Sequence, residues 1–368
     1  MRFAFKTAAA AFACAWPLMG WSQVVISGIM DGGIRQDRGT ASGSVRSEGS
    51  GLSAGSRLNF SGIEDLGGGM KAAFVLESGL ALDTGLGTTA SPAGSVTWNR
   101  TSAVAVGSDS MGYLSAGLQY TPLWAVSAGP MNDPFGGQWL GGIGGRQGAG
   151  ALYSFVRSYS NSIVYSYGYT ARAMLLPAPR TGLGVAVMYA PGEVASPLPK
   201  ASGDTLGFNV SYGDGTYWVG YGYHQQKGQN TAPVSDNPVG KFQTLGASYL
   251  VAGVARLHVG LNINTNDGLG TAKVDRQAWH VGATLALGGP HGLRLIYGNA
   301  NDRTDANVDF KVWQVGYTYD LSKRSSLYAG AGAIQNGPNS AWVPSASLST
   351  PTKGATASSY IAGIRHNF

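Results

Sequence analysis

From residue 24 to residue 368 the dominant signal is a two-residue alternation, broken by clusters of Gly, Pro, Asn, Asp and Ser. Successive side chains of a β-strand point to opposite faces, so each run sorts into two faces. Leu206, Phe208, Val210 and Tyr212 alternate with Gly207, Asn209 and Ser211. Leu257, Val259, Leu261 and Ile263 alternate with Arg256, His258, Gly260, Asn262 and Asn264. Trp279, Val281, Ala283, Leu285 and Leu287 alternate with His280, Gly282, Thr284 and Ala286, and Trp313, Val315, Tyr317 and Tyr319 with Gln314, Gly316 and Thr318. One face is continuously apolar and the other is small or polar.

The runs predict sixteen strands, at about 24–35, 56–65, 69–79, 97–107, 112–120, 160–172, 182–190, 204–213, 216–226, 241–251, 255–264, 276–287, 292–299, 309–319, 326–335 and 359–368. Connections after even-numbered strands read as tight, at 65–69, 108–112, 213–215, 251–253 and 288–292; those after odd-numbered strands are longer and rich in Gly, Ser, Thr, Asn and Pro. An even number of strands with one apolar face, joined alternately by short turns and long loops, predicts an all-β fold: a 16-stranded antiparallel transmembrane β-barrel. Closure lets such a barrel cross lipid with every backbone donor and acceptor satisfied. A sandwich would have to bury the apolar face against a second sheet, and the chain is long for one. A propeller would show a repeat of about 40 residues, which is absent.

Composition agrees. Only 12% of residues are charged although 43% are hydrophobic, against about 25% charged in soluble domains. No apolar run long enough for a membrane helix follows residue 22, and 18 Tyr, 9 Trp and 11 Phe exclude a disordered chain. Residues 1–22 read as a secretory signal peptide: Arg2 and Lys6 precede a short apolar stretch at 7–18, and Gly20-Trp21-Ser22 offers small residues at the cleavage positions. The barrel then occupies residues 23–368, a mature chain without cysteine, since Cys14 lies in the leader.

Several segments resemble the general porins of Gram-negative bacteria, in particular the β-proteobacterial branch. These are VVISGIMDGGI at the mature start, SRLNFSGIEDLGGGMKAAFVLESGL at 56–80, Asn99-Arg100, QYTPLWAVSAGPMNDPFG at 119–136, NSIVY at 161–165 and the final YIAGIRHNF ending in Phe368. The resemblance implies a water-filled, homotrimeric pore in the outer membrane, in contact with its lipids and lipopolysaccharide. It also implies that the C-terminal strand is read by the barrel assembly machinery. In that family loop 3 folds into the lumen, placing acidic groups opposite a column of basic side chains on the wall. Here loop 3 spans about 121–150 and carries Asp133 and Arg146; a loop of that length without structure of its own is usually functional or disordered.

Selectivity in a wide pore comes from charge and diameter. The wall candidates are Arg57 at the start of strand 2, Arg100 in strand 4 and Arg157 before strand 6, at or beside basic positions of the family's column. Arg57 has lumen parity because Leu58 and Phe60 take the opposite one. Two departures thin the column. Where the family usually reads Gly-Arg-Gln-Tyr-Thr-Pro this chain has Leu118, and where it often has a basic residue after Asn-Ser-x this chain has Val164. The expected function is passive diffusion of small hydrophilic solutes and ions, with a modest anion preference at most.

The alternative is a substrate-specific channel, with Trp124, Trp139 and Trp218 forming a binding track. An outer-membrane hydrolase would need a Ser–His pair on the lipid side, whereas His258 and His280 take lumen parity. The five histidines lack metal-ligand spacing, no nucleophile elbow occurs, and the Gly-rich runs do not open helices. No cofactor, metal or catalytic residue is therefore expected, and without clustered Lys/Arg runs no nucleic-acid partner either.

Overall fold

A computed structural model describes residues 24–40, 43–87, 98–137, 139, 157–171, 179, 181–192, 203–228, 239–267, 273–344 and 352–368. Its strands are β1 (Val25–Thr40), β2 (Gly43–Ser50), β3 (Arg57–Gly67), β4 (Met70–Gly79), β5 (Thr101–Ser108) and β6 (Gly112–Tyr120). After a short helix, α1 (Pro122–Ser127), follow β7 (Ser158–Tyr167), β8 (Thr181–Ala190), β9 (Thr205–Asp214), β10 (Tyr217–Lys227), β11 (Val239–Val251) and β12 (Ala255–Asn266). The last five are β13 (Val274–Ala286), β14 (His291–Asp302), β15 (Phe310–Asp320), β16 (Ser325–Asn336) and β17 (Thr356–Asn367).

These seventeen segments form one closed antiparallel sheet. Closure is made by β1 and β17, in register from Ile29 opposite Asn367 to Arg38 opposite Ser358. Beyond the ladder, the Gly28 and Phe368 backbones exchange hydrogen bonds of 3.0 and 3.1 Å.

The barrel has sixteen strands because β2 and β3 are two halves of its second strand. The outer half of β1 pairs with β2 and the inner half with β3. Between them residues 51–56 leave the ladder and fold over Asp31. Its carboxylate accepts the Ser53 and Ala54 N–H groups (3.3 and 2.8 Å) and the Tyr328 hydroxyl (2.7 Å). The polar run 43–50 was expected to be loop. It is strand because it extends the wall past the apolar belt, where alternation no longer has to exclude polar side chains.

Both faces follow the sequence parity. Leu206, Val210, Leu257, Val259 and Val281 are exposed on the outer face, while Asn209, Ser211, His258, Asn262 and His280 are buried on the inner one. Charge at the midplane of the outer face would cost roughly 2–4 kcal/mol per Lys or Arg. The tight end is built from turns such as 66–69, where Gly67, Gly68 and Gly69 all have positive φ (84°, 60° and 83°), a region where a Cβ is costly.

The connection at 168–180 joins β7 to β8 at this same end yet is longer than the tight turns. Its described residues turn inward: the Tyr169 hydroxyl donates to Asn209 Oδ1 (3.0 Å), and the Pro179 carbonyl accepts from Trp218 Nε1 (3.0 Å).

The inner face is less polar than its glycines and asparagines suggest. Val164, Ala186, Met188 and Trp218 form a buried cluster with Ala125, Val126 and Met131. Ile296, Val312, Tyr328, Ile334 and Ile361 form another with Leu52, Phe135 and Trp139. In both, residues of the 121–139 segment meet apolar residues of the wall.

Candidate functional site: an arginine cluster and the segment that crosses the inner wall

Thr121 starts the crossing segment. Its Oγ1 accepts the Trp124 N–H (3.1 Å) and Pro122 occupies the first turn of α1, where a missing N–H costs nothing. The stems of the connection are pinned together by the Thr121 N–H donating to the Arg157 carbonyl (2.9 Å). From there the chain runs across the inner wall. Asn209 Nδ2 donates to the Pro122 carbonyl (2.7 Å), His258 Nδ1 to the Met131 carbonyl (3.1 Å) and His280 Nε2 to the Asn132 carbonyl (3.0 Å). A carbonyl only accepts, so these ring nitrogens carry the proton. Wall glycines permit the approach: a Cβ on Gly246 or Gly260 would overlap Asn132, and one on Gly316 would stand 2.8 Å from both Phe135 and Trp139.

Where this segment leaves the wall, Arg57, Arg100 and Arg157 come together. Arg57 opens β3, Arg100 immediately precedes β5, one residue outside the strand, and Arg157 immediately precedes β7. Sequence reasoning missed the residue that joins them, Glu77 on β4. Its Oε2 lies 3.3 Å from Arg57 Nε, its Oε1 pairs with Arg100 Nε, and that same oxygen accepts the Tyr120 hydroxyl (3.1 Å). The signal was available, since Glu77 has the inward parity of Val75 inside a strand. Arg157 pairs with no acid among the described residues. Its guanidinium lies over the rings of Tyr120 (5.5 Å) and Trp124 (6.0 Å), a cation–π arrangement. Three cations and one carboxylate leave the cluster net positive.

Asp133 is not part of this cluster. It is fully buried in its own turn, where its carboxylate accepts the Phe135 and Gly137 N–H groups (2.8 Å each). Burial outweighs these bonds and pushes its pKa up to about 6; Arg294 is the cation acting on it. Arg146, the other loop candidate, lies outside the described residues, as does the whole signal-peptide region. The three tryptophans of the binding-track alternative are buried in separate places: Trp124 against Tyr120, Trp139 against Phe135 and Tyr328, and Trp218 beneath Pro179.

A closed barrel, apolar outside and carrying arginines and polar groups on its inner wall, defines a membrane-spanning β-barrel channel. The model of the Gram-negative porin family matches residues 4–339. The chain belongs to that family, and is a passive diffusion channel and multi-pass barrel of the outer membrane. It is 29% identical over 346 residues to outer membrane porin protein 32 of Delftia acidovorans, an alignment covering 89% of this chain and 88% of that protein. An anion-selective porin from Comamonas acidovorans superposes with a TM-score of 0.76 at 25% identity, covering 94% of this chain and 100% of that one. The trimer form of OmpT from Vibrio cholerae matches with a TM-score of 0.62 at 15% identity over 94% of this chain and 99% of its own, a likeness of fold.

Proposed function

We propose that the channel prefers anions, that the 121–139 segment forms its constriction, and that Arg57, Arg100 and Arg157 with Glu77 supply the selecting field. The observation that carries this reading is the excess of cation at the cluster, with Arg157 unpaired by any described acid. Low-dielectric walls focus such a field on ions in transit. The similarity to a porin described as anion-selective points the same way. Reversal potentials in a KCl gradient across a planar bilayer test it: the expected sign is that of chloride preference, and cation selectivity would overturn the assignment.

The assembly is read as a homotrimer whose subunits meet along β16, β17 and β1–β6. Exposed outward Tyr and Trp residues are spread over β7–β15; among the described residues Tyr360 is the only one on the remaining strands. An aromatic girdle is needed where the wall meets lipid headgroups, and a wall covered by another subunit has no such need. Cross-linking of cysteines introduced at Ala329 and Ala72 should give trimers; monomers only would refute it.

The exported chain is read as losing residues 1–22, which N-terminal sequencing of the mature protein checks. Assembly is read as passing through recognition of the strand that ends in Phe368, in a membrane of phospholipid and lipopolysaccharide. No catalysis is assigned. A Ser–His contact does exist on the outer face, Ser325 Oγ to His366 Nδ1 at 2.8 Å. No described acid or amide orients the other ring nitrogen, as a triad requires. Absence of esterase activity in conducting, detergent-purified protein is the expected result.

A further inference from the structure

Outward and inward positions change places along β7. Ile163, Tyr165 and Tyr167 are exposed on the lipid face, and Ser162, Val164 and Ser166 beside them are buried. Continued unbroken, that alternation would put Tyr159 and Arg157 on the lipid face as well. Both face inward instead. The Tyr159 ring lies 5.3 Å from that of His224, which is fully buried on the inner wall, and it packs against the cluster that holds Met188 and Trp218. The Arg157 guanidinium lies over Tyr120 and Trp124.

The exchange happens at one place. In the ladder with β6, Gly117 stands opposite Ser162 and Gln119 opposite Tyr159, with a shift of register between the two pairs. Leu118 alone separates them on β6, whereas Ser160 and Asn161 separate them on β7. Two residues against one make a β-bulge, and an extra residue reverses the facing of the strand on one side of it. Ser160 and Asn161 are accordingly both exposed, where a regular strand would alternate. Asn161 has a φ of 55°, in the left-handed region that asparagine enters more readily than most side chains. Side chains brace the gap: Ser162 Oγ donates to the Gly117 carbonyl (2.8 Å), and Gln119 Nε2 donates to the Ser162 carbonyl (3.3 Å). Gln119 is itself held by the Ser115 hydroxyl, which donates to its Oε1 (2.6 Å).

We infer that this bulge is what aims Arg157 into the pore, so that Ser160 and Asn161 are positioning residues for anion selection although neither belongs to the arginine cluster. Lipid fixes the parity of Ile163, Tyr165 and Tyr167, because turning them inward would set Ser162 and Ser166 against acyl chains. The part of β7 before the bulge is the part free to turn. With one residue fewer, an unbroken ladder would place Ser158 inward and Arg157 outward. The inference rests on the anion-channel reading and names what orients one of its cations.

The test compares Arg157→Gln in the full chain and in a chain with Ser160 deleted, as intact trimers in planar bilayers under a KCl gradient. In the full chain the change should lower the chloride-to-potassium permeability ratio roughly threefold, the Boltzmann factor of one charge acting at about 7 Å through water. Deletion of Ser160 should lower it to a similar extent. Arg157→Gln should then have no further effect, a non-additivity that reports their coupling, and Ser158→Arg added to the deletion should restore the preference. Resistance of the trimer to heat in detergent certifies folding. An equal fall from Arg157→Gln in both chains overturns the inference. Preference unchanged by Arg157→Gln but lowered by Arg100→Gln overturns it too and leaves the anion-channel reading standing; preference unchanged by either overturns both. Should the deleted chain not fold, the full chain answers through Arg157→Cys and Ser158→Cys, each treated with a cationic methanethiosulfonate. Chloride preference should rise at 157 alone, and an equal response at the two positions overturns the inference.

Discussion

The guanidinium carbon of Arg157 stands 5.5 Å from the centre of the Tyr120 ring. That contact joins the end of the crossing connection to its beginning, and it holds a cation in place without neutralising it. Arg157→Gln should therefore reduce chloride preference while Arg157→Lys retains much of it. Glu77→Gln should act in the opposite sense and raise anion permeability roughly threefold, by removing the one negative charge of the cluster. It should also cost about 1–3 kcal/mol of stability, since two arginines lose their partner. Reversal potentials and thermal unfolding in detergent measure the two effects separately.

Val164 is fully buried in the cluster that joins Ala125 and Val126 of α1 to Ala186, Met188 and Trp218 of the wall. Restoring a cation there will not restore a basic column. Val164→Arg is expected to disrupt that cluster and destabilise the barrel by about 3 kcal/mol or more, through overpacking and an unpaired buried charge. Reduced heat resistance with noisier single-channel current is the expected record; a stable pore with enhanced chloride preference would contradict it.

Asp133 gives the 121–139 segment a pH dependence. Its folded pKa is raised to about 6 by burial, above the value of about 4 for a carboxylate in an unfolded chain. Between about pH 4 and 6 the folded state thus holds more protons than the unfolded one, so stability falls as pH rises through that window. Asp133→Asn should flatten the profile, at a cost of about 1 kcal/mol for one lost N–H acceptor. Melting temperatures across that range, wild type against variant, supply the comparison.

Phe368 exchanges backbone hydrogen bonds with Gly28, and its ring occupies the space that a side chain at Gly28 would need. Deleting Phe368 removes one rung of a ladder that has ten residue pairs without it, so refolding in detergent should suffer little. On the proposal that assembly in cells reads the strand end, incorporation into the outer membrane should fall far more. Comparing the two yields distinguishes a recognition role from a structural one.

The barrel was legible because lipid imposes a strict rule on one face. Leu257, Val259, Leu261 and Ile263 announce their strand, and the observed β12 extends it by only two residues, to Asn266. The run 43–50 was not legible, since a strand beyond the apolar belt is under no such rule. Inside the barrel the rule also lapses. Ile296, Val312 and Ile334 have inward parity and could not be told from pore lining until Phe135 and Trp139 were seen to cover them. Of the candidate site, Arg57 was picked out by parity and likeness, and Arg100 and Arg157 by likeness alone. Glu77 was missed although it is a charge inside a strand, the clearest mark a barrel wall offers. Asp133 looked like a free acid because sequence does not show that a turn has already engaged its carboxylate.

The pairing of β1 with β17 brings residue 24 and Phe368 to the same rim, a few residues of chain apart. A short linker could join them without crossing the lumen or the lipid. The order of strands around the wall is then independent of where the polypeptide is cut, and new ends opened in a loop at the opposite rim would leave every rung intact. The pore could thus be rebuilt with its termini on either side of the membrane, and a probe or fusion partner attached at whichever mouth an experiment requires.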